Sequence, residues 1–175
     1  HQFLYDKERP AYFEAENEVS DEDMLQYQEW VESGRIAIEI GQSASSKELY
    51  NSYKHPVELD STEWPSVEHY ILAQQFSDDA LRETVRKGRT LIEIRKAIQK
   101  QPIRADWAGV RDDLMKRALE VKFQAPYLRA ILLHTAGFQL KYKGIDKYWG
   151  GARNRMGELL MELRKKFQDA GKLMV

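Results

Sequence analysis

Trp64-Pro65-Ser66-Val67-Glu68-His69-Tyr70, continuing through Ile71-Leu72-Ala73-Gln74-Gln75-Phe76, is where the chain turns from short strands and loops to helices. Pro65 has no amide to give to a ladder, and Ser66 is a strong N-cap because its hydroxyl can accept from an amide of the first helical turn. A helix is predicted over about 66–76. The same signals recur downstream. Ser77 is placed to cap a helix ending near Gly88, and Thr90-x-x-Glu93 is a capping box for a helix carrying Leu91, Ile94 and Ile98 that stops before Pro102. Asp106 is placed to cap a longer helix, on which Trp107, Val110, Leu114, Ala118 and Val121 recur at steps of three and four and predict one apolar face. Pro126 opens a helix to about Thr135, closed by Gly137, and the last helix, over about 154–168, carries Met156, Leu159, Leu160, Leu163 and Phe167 toward the core.

Strand signals are fewer. Phe138, Leu140 and Tyr142 alternate with period two, as do the isoleucines of residues 35–40, and Val57 and Leu59 precede the turn residues Asp60 and Ser61. A short strand is also expected around Phe3 and Tyr5, followed by an irregular acidic segment with Pro10, and Ser20 with Asp23 starts a helix near 21–33. The result is an α+β chain, mainly helical with a few short strands. At 175 residues, with 42% hydrophobic and 31% charged, it has the size and balance of one globular domain rather than of a disordered or fibrous chain.

Absences and charge narrow the function classes. With no cysteine there can be no disulfide, thiolate metal site or cysteine nucleophile. No apolar run approaches bilayer length and the start is polar, so a soluble cytoplasmic protein is expected, or a nuclear one in a eukaryote, with no membrane partner. A net charge of -1 is not that of a general DNA binder, but Arg82, Arg86, Lys87, Arg89, Arg95, Lys96, Lys100 and Arg104 form one basic stretch and Lys141, Lys143, Lys147, Arg153 and Arg155 another. Each can be a solvated helix face or a local phosphate site.

Two packets concentrate chemistry. In the first, Trp64, Glu68, His69 and Tyr70 crowd a loop-to-helix junction, with Gln74 one turn beyond Tyr70. Glu68 falls in a first helical turn, where the macrodipole stabilises its charge, a purely structural reason for its presence. His69 reads as a hydrogen-bonded structural histidine, since no other ligand type stands at metal spacing to it; no metal site is expected. The second packet is Gly144-Ile-Asp-Lys-Tyr-Trp-Gly-Gly151, leading through Arg153 and Asn154 into the last helix. Glycines beside an aromatic pair let backbone approach a ligand, Tyr148 and Trp149 offer flat faces to a base or ribose, and Asp146 adds a carboxylate. Tyr148 can equally plug the core. Arg104 and Lys122 are candidate phosphate cations, whereas Trp107 at a helix start fits the core.

In order along the chain, Asn51 with His55-Pro56, the Trp64–Tyr70 block, Gln74, Arg104-Ala105-Asp106-Trp107, Lys122-Phe123, Asp146-Lys147-Tyr148-Trp149-Gly150, and Asn154-Arg155-Met156-Gly157 with Leu160-Met161 together resemble the NADAR (YbiA-like) family over roughly residues 49–164. The resemblance implies a YbiA-like fold in a single domain, 1–175, with a divergent N-terminal segment, 1–46, and a family core, 47–168. It also implies N-ribosyl hydrolysis: some members hydrolyse a ribosylamino-pyrimidine intermediate of riboflavin synthesis, and others remove ADP-ribose from guanine. Glu68 matches the family's catalytic glutamate.

The implied site has Glu68 stabilising the ribosyl cation and activating water, with Asp146 as a second carboxylate that orients the ribose hydroxyls or assists the water. Trp149 stacks on base or sugar, Lys122 and Arg104 meet phosphate, and Asn51 and Asn154 bond ribose or phosphate oxygens. Trp64, Tyr70, Gln74, Trp107, Tyr148 and Gly150 complete the expected binding residues. The chemistry requires no cofactor. Of the family's F-S-N-F run only Asn51 survives here, and Gln75 replaces the usual lysine. These departures and the basic stretches favour ADP-ribosylated guanine, with single-stranded nucleic acid as a candidate partner, over the riboflavin intermediate. A non-catalytic module that binds ADP-ribose or nucleic acid is the third reading.

Overall fold

The computed structural model describes residues 20–33, 36–42 and 44–173, so the expected strand around Phe3 and Tyr5 and the segment with Pro10 lie outside the described residues. Along the chain run α1 (Asp21–Glu32), β1 (Ala37–Ile40), a 3₁₀ turn (Lys47–Leu49), β2 (Val57–Leu59), β3 (Thr62–Trp64), α2 (Val67–Gln74), α3 (Asp79–Lys87), α4 (Leu91–Ile98), α5 (Trp107–Lys122), α6 (Pro126–Leu133), β4 (Gln139–Tyr142) and α7 (Arg155–Leu173). The fold is α+β, as the caps and periodicities predict. The residues group into two compact units, one made of His1–Tyr50 and Pro126–Val175, the other of Asn51–Ala125.

In the unit built from the two ends of the chain, β1 and β4 pair in parallel, Ile38 opposite Leu140 and Ile40 opposite Tyr142. These four side chains are buried, while Glu39 and Lys141 point outward, which is the period-two pattern of a sheet with one covered face. The core is completed by Leu128, Ile131 and Leu132 of α6 and by Met156, Leu159, Leu160 and Leu163 of α7. Ser20 caps α1 by accepting from the Asp23 amide at 3.1 Å. Arg164 of α7 closes the end of α6: its guanidinium donates to the Thr135 carbonyl, the Thr135 hydroxyl and the Phe138 carbonyl at 2.7, 2.9 and 2.9 Å. Burial depresses the pKa of this arginine, and the helix-terminal carbonyls it bonds keep the charge tolerable.

In the central unit, β2 and β3 form an antiparallel hairpin whose Asp60 and Ser61 both adopt left-handed φ, 55° and 60°. The sequence points to the turn but not to β3. Such a two-residue turn normally signals itself through glycine, and Asp-Ser carries that signal weakly. Tyr70 of α2 is fully buried and ties the hairpin down. Its hydroxyl donates to Asp60 at 3.2 Å and accepts from Arg117 of α5 at 2.8 Å. Burial, and then the Asp60 carboxylate, push this phenol above its ordinary pKa. Three expected details shift. Asp78, not Ser77, caps α3 by accepting from the Leu81 amide. Asp106 makes no side-chain cap on α5, because its carboxylate pairs with Arg104. The buried stripe of α5 is Trp107, Met115, Ala118, Leu119 and Lys122, whereas Val110, Leu114 and Val121 are only partly covered, so the apolar face is rotated to take in a lysine.

Candidate active site

Ser66 begins α2 as the sequence predicts, accepting from the His69 amide at 3.2 Å. The amide of Glu68 goes elsewhere, donating to the Asn51 carbonyl at 2.9 Å, so the segment beginning at Asn51 is strapped to the first turn that carries the glutamate. The Glu68 side chain is 18% exposed, and the Arg95 guanidinium of α4 stands 3.9 Å from its Oε1. His69 turns away. Its Nδ1 lies 2.7 Å from the Ser66 hydroxyl and its Nε2 lies 3.0 Å from the Gly88 carbonyl. A carbonyl can only accept, so Nε2 carries the proton and Nδ1 accepts from Ser66. This is the structural histidine that the sequence suggests.

The segment that begins at Asn51 also lies along α5. Asn51 is buried, its amide donating to the Met115 sulfur at 3.8 Å. Two turns on, at the same face of α5, Lys122 is 1% exposed, with its ammonium 5.5 Å from the Phe123 ring and 5.8 Å from the Tyr53 ring. Aromatic faces offset part of the cost of burying a cation. His55, next along, has its pKa lowered by burial and then by the Lys122 charge. Glu68, Asn51, Lys122 and Arg95 thus belong to one unit and are linked through named contacts: an ionisable carboxylate at a helix N-terminus, and a buried cation. That combination suits recognition of an anionic sugar and stabilisation of positive charge at a sugar carbon.

Asp146, Tyr148, Trp149, Gly150 and Asn154 belong to the other unit. One oxygen of Asp146 accepts from the Tyr148 and Trp149 amides, at 2.8 and 3.0 Å, so this carboxylate shapes the turn that carries the aromatic pair. Trp149 is 8% exposed, with Tyr148 edge-on to it at 4.8 Å, and Tyr148 is the more accessible ring. Gly150 was expected to admit a ligand. Instead it admits its own chain, since a Cβ there would stand 2.9 Å from the Tyr142 carbonyl oxygen and 3.0 Å from the Gly144 nitrogen. Asn154, expected to bond a substrate oxygen, spends its amide on β4: it accepts from Tyr142 N–H at 2.8 Å and donates to the Leu140 carbonyl at 2.9 Å. Because β4 pairs with β1 along one edge, this side chain serves as the partner of the opposite edge. A Cβ on Gly157 would fall 2.3 Å from both Asn154 and the Leu140 carbonyl, which explains the N-x-x-G spacing.

Other expected binding residues are held within the central unit. Arg104 pairs bidentately with Asp106, at 2.6 and 2.9 Å, rather than presenting a vacant fork to phosphate. Trp64 donates to the Leu59 carbonyl and packs edge-on against Tyr70; Gln74 and Trp107 are buried. What the sequence reading missed is Arg95. It appears there as one cation in a basic run, and pairing between separate helices leaves no spacing signal.

A family model described as the NADAR domain matches residues 32–168. The chain is 38% identical to the N-glycosidase YbiA of Escherichia coli K12 over 120 residues, 63% of this chain and 75% of that one. It is 34% identical over 122 residues, 59% of this chain, to the chloroplastic riboflavin biosynthesis protein PYRR of Zea mays, covering 20% of that protein. The solution NMR structure of Escherichia coli YbiA superposes with a TM-score of 0.65 at 33% identity, over 81% of this chain and 94% of that one. The matched stretch takes in the strapped Glu68 helix, the buried Lys122 and the Asn154–Gly157 lock alike, and the chain belongs to the NADAR domain family.

Proposed function

We propose that the chain, acting as one catalytic domain, is an N-glycosidase that hydrolyses the bond between ribose C1 and a base nitrogen, with Glu68 as its catalytic carboxylate. The observation that carries this reading is the placement of Glu68: first turn of α2, 18% exposed, its backbone strapped to Asn51 and a guanidinium 3.9 Å from its carboxylate. The name of the Escherichia coli relative supports it. As the C1–N bond breaks, its electron pair goes to the base nitrogen and positive charge develops on the ribose. Glu68 stabilises that charge and takes a proton from the water whose oxygen bonds C1, and the proton ends on the departing base. Lys122, buried against the Tyr53 and Phe123 rings in the same unit as Glu68, is read as the cation for the substrate's phosphate. Within the other unit, Asp146 shapes the loop that carries Tyr148 and Trp149.

The substrate is read as ADP-ribosylated guanine, free or in single-stranded nucleic acid, with guanine as the leaving group, because only Asn51 remains of the F-S-N-F run. Part of the basic stretch is internally engaged, Arg82 on the Phe76 carbonyl and Arg86 and Lys87 on Glu83, so a phosphodiester would meet the exposed Arg89, Lys96 and Lys100 instead. A ribosylamino-pyrimidine phosphate is the second reading, favoured by the name of the Zea mays relative. Incubation with an ADP-ribosylated guanine oligonucleotide and, separately, with the pyrimidine phosphate, followed by mass analysis of the released sugar, decides between them. The proposal expects ADP-ribose release at the higher kcat/KM; the reverse order refutes the guanine assignment, and no release from either refutes the N-glycosidase reading.

A further inference from the structure

We infer that Arg95 is a positioning residue that acts through Glu68, an assignment that rests on the catalytic role proposed for that glutamate. The contact joins two helices: Arg95 on α4 and Glu68 on the first turn of α2, 3.9 Å apart, with the arginine 42% exposed and the carboxylate more hidden at 18%. A carboxylate that must accept a proton from water has to be ionised first, and partial burial works against ionisation. A nearby cation offsets that penalty. The separation also matters. At 3.9 Å the guanidinium is beyond the distance of a tight charge-assisted hydrogen bond, so it orients and polarises the carboxylate without drawing it into a closed bidentate pair that would compete with the ribosyl cation.

The scaffold fixes α4 at this distance. Ser66, which caps the Glu68 helix, donates to His69, and His69 donates to the Gly88 carbonyl just before α4. Gly88 lies hard against the residue preceding Arg95: a Cβ there would stand 2.2 Å from Ile94 Cγ1, and Ile94 is itself buried. Thr90 then starts α4 by accepting from the Glu93 amide at 3.1 Å. The histidine that follows the catalytic glutamate in sequence therefore sets the register of the helix that delivers the arginine. Nearby cations are committed differently: Arg82 to a backbone carbonyl, Arg86 and Lys87 to Glu83, Arg104 to Asp106.

The test is a double-mutant cycle of Arg95→Ala with Glu68→Gln, with Arg95→Lys alongside, followed by single-turnover hydrolysis and steady-state kinetics. The probe is ADP-ribosylated guanosine, or the pyrimidine phosphate if that is hydrolysed faster. Misplacing a reacting group by about an ångström costs up to about 100-fold, so Arg95→Ala is expected to lower kcat about 10–100-fold, leaving KM within about threefold and Tm nearly unchanged. Arg95→Lys should recover most of the loss. In the Glu68→Gln background Arg95→Ala should have no further effect, because a residue acting through Glu68 has nothing left to position. A raised KM with unchanged kcat makes Arg95 a substrate contact and overturns the inference, as does an additive loss in the double variant. If Glu68→Gln is itself fully active, the catalytic reading fails first; if Glu68→Gln is inactive and Arg95→Ala behaves as wild type, the inference about Arg95 fails alone.

Discussion

Replacing Asn154 by alanine separates two accounts of the N-x-x-G motif. In the structure the Asn154 amide bonds Tyr142 N–H and the Leu140 carbonyl, on the edge of β4 away from β1, and both strand residues are buried. Alanine leaves a buried donor and a buried acceptor unsatisfied, each costing about 1–3 kcal/mol. Asn154 also has φ 49°, a left-handed conformation that asparagine tolerates better than alanine, which adds about 1 kcal/mol. The expected loss is about 3–7 kcal/mol, a large part of the stability of an ordinary domain. With a urea slope of about 2 kcal/mol/M, the midpoint should fall by about 1.5–3.5 M. Asn154→Gly should be about 1 kcal/mol less harmful than alanine, because it removes the hydrogen bonds without the φ penalty. Asn154→Asp should not restore stability, since it keeps the acceptor for Tyr142 but sets an oxygen against the Leu140 carbonyl. The assay is urea unfolding followed by circular dichroism, with KM measured on the same preparations. A midpoint within about 0.5 M of wild type, together with a raised KM, would refute the edge-partner account and return Asn154 to substrate binding.

Arg164→Met should cost about 2–4 kcal/mol in the same unfolding assay, because the carbonyls of Thr135 and Phe138 and the Thr135 hydroxyl lose a charged donor; a loss below about 0.5 kcal/mol contradicts it. His55 has a folded pKa below its ordinary 6.5, so on acidification the unfolded chain takes up the proton first. Its contribution to stability is therefore full above pH 6.5 and declines as pH falls from there toward the folded pKa; His55→Gln should flatten that part of the stability profile, and an unchanged profile counts against the assignment. No three His, Asp or Glu side chains gather at metal-holding distance among the described residues, so hydrolysis is expected to survive exhaustive chelation. Activity lost with EDTA and restored by a divalent ion contradicts that expectation.

Local signals in the sequence carried most of the helices and part of the site. Ser66, Thr90 and Gly137 act where their chemistry places them, and the alternation around Leu140 is a strand. Its parallel partner, β1, is far away in sequence, and no local pattern specifies a parallel pairing. The rotation of the α5 face also stayed hidden, because Lys122 counts as polar in any periodicity while its ammonium lies against two aromatic rings. Asn154 and Gly150 were visible as special residues, but the contacts they make within the chain were not. Their close contacts are with β4 and Gly144, and sequence does not distinguish a backbone that approaches a ligand from one that approaches another strand. Arg95 was illegible as a partner of Glu68 because their pairing depends on the turn at Gly88.

The most direct test of the central claim is single-turnover hydrolysis by Glu68→Gln, measured beside ligand affinity and melting temperature on one preparation. Glutamine keeps the size of the side chain and a hydrogen-bond acceptor while removing the charge and basicity. If Glu68 is the catalytic carboxylate, turnover falls by at least about 10²–10⁴-fold while binding persists and the fold is retained. A folded Glu68→Gln variant that turns over within a few-fold of wild type contradicts the account and leaves Glu68 a stabiliser of the first turn of α2.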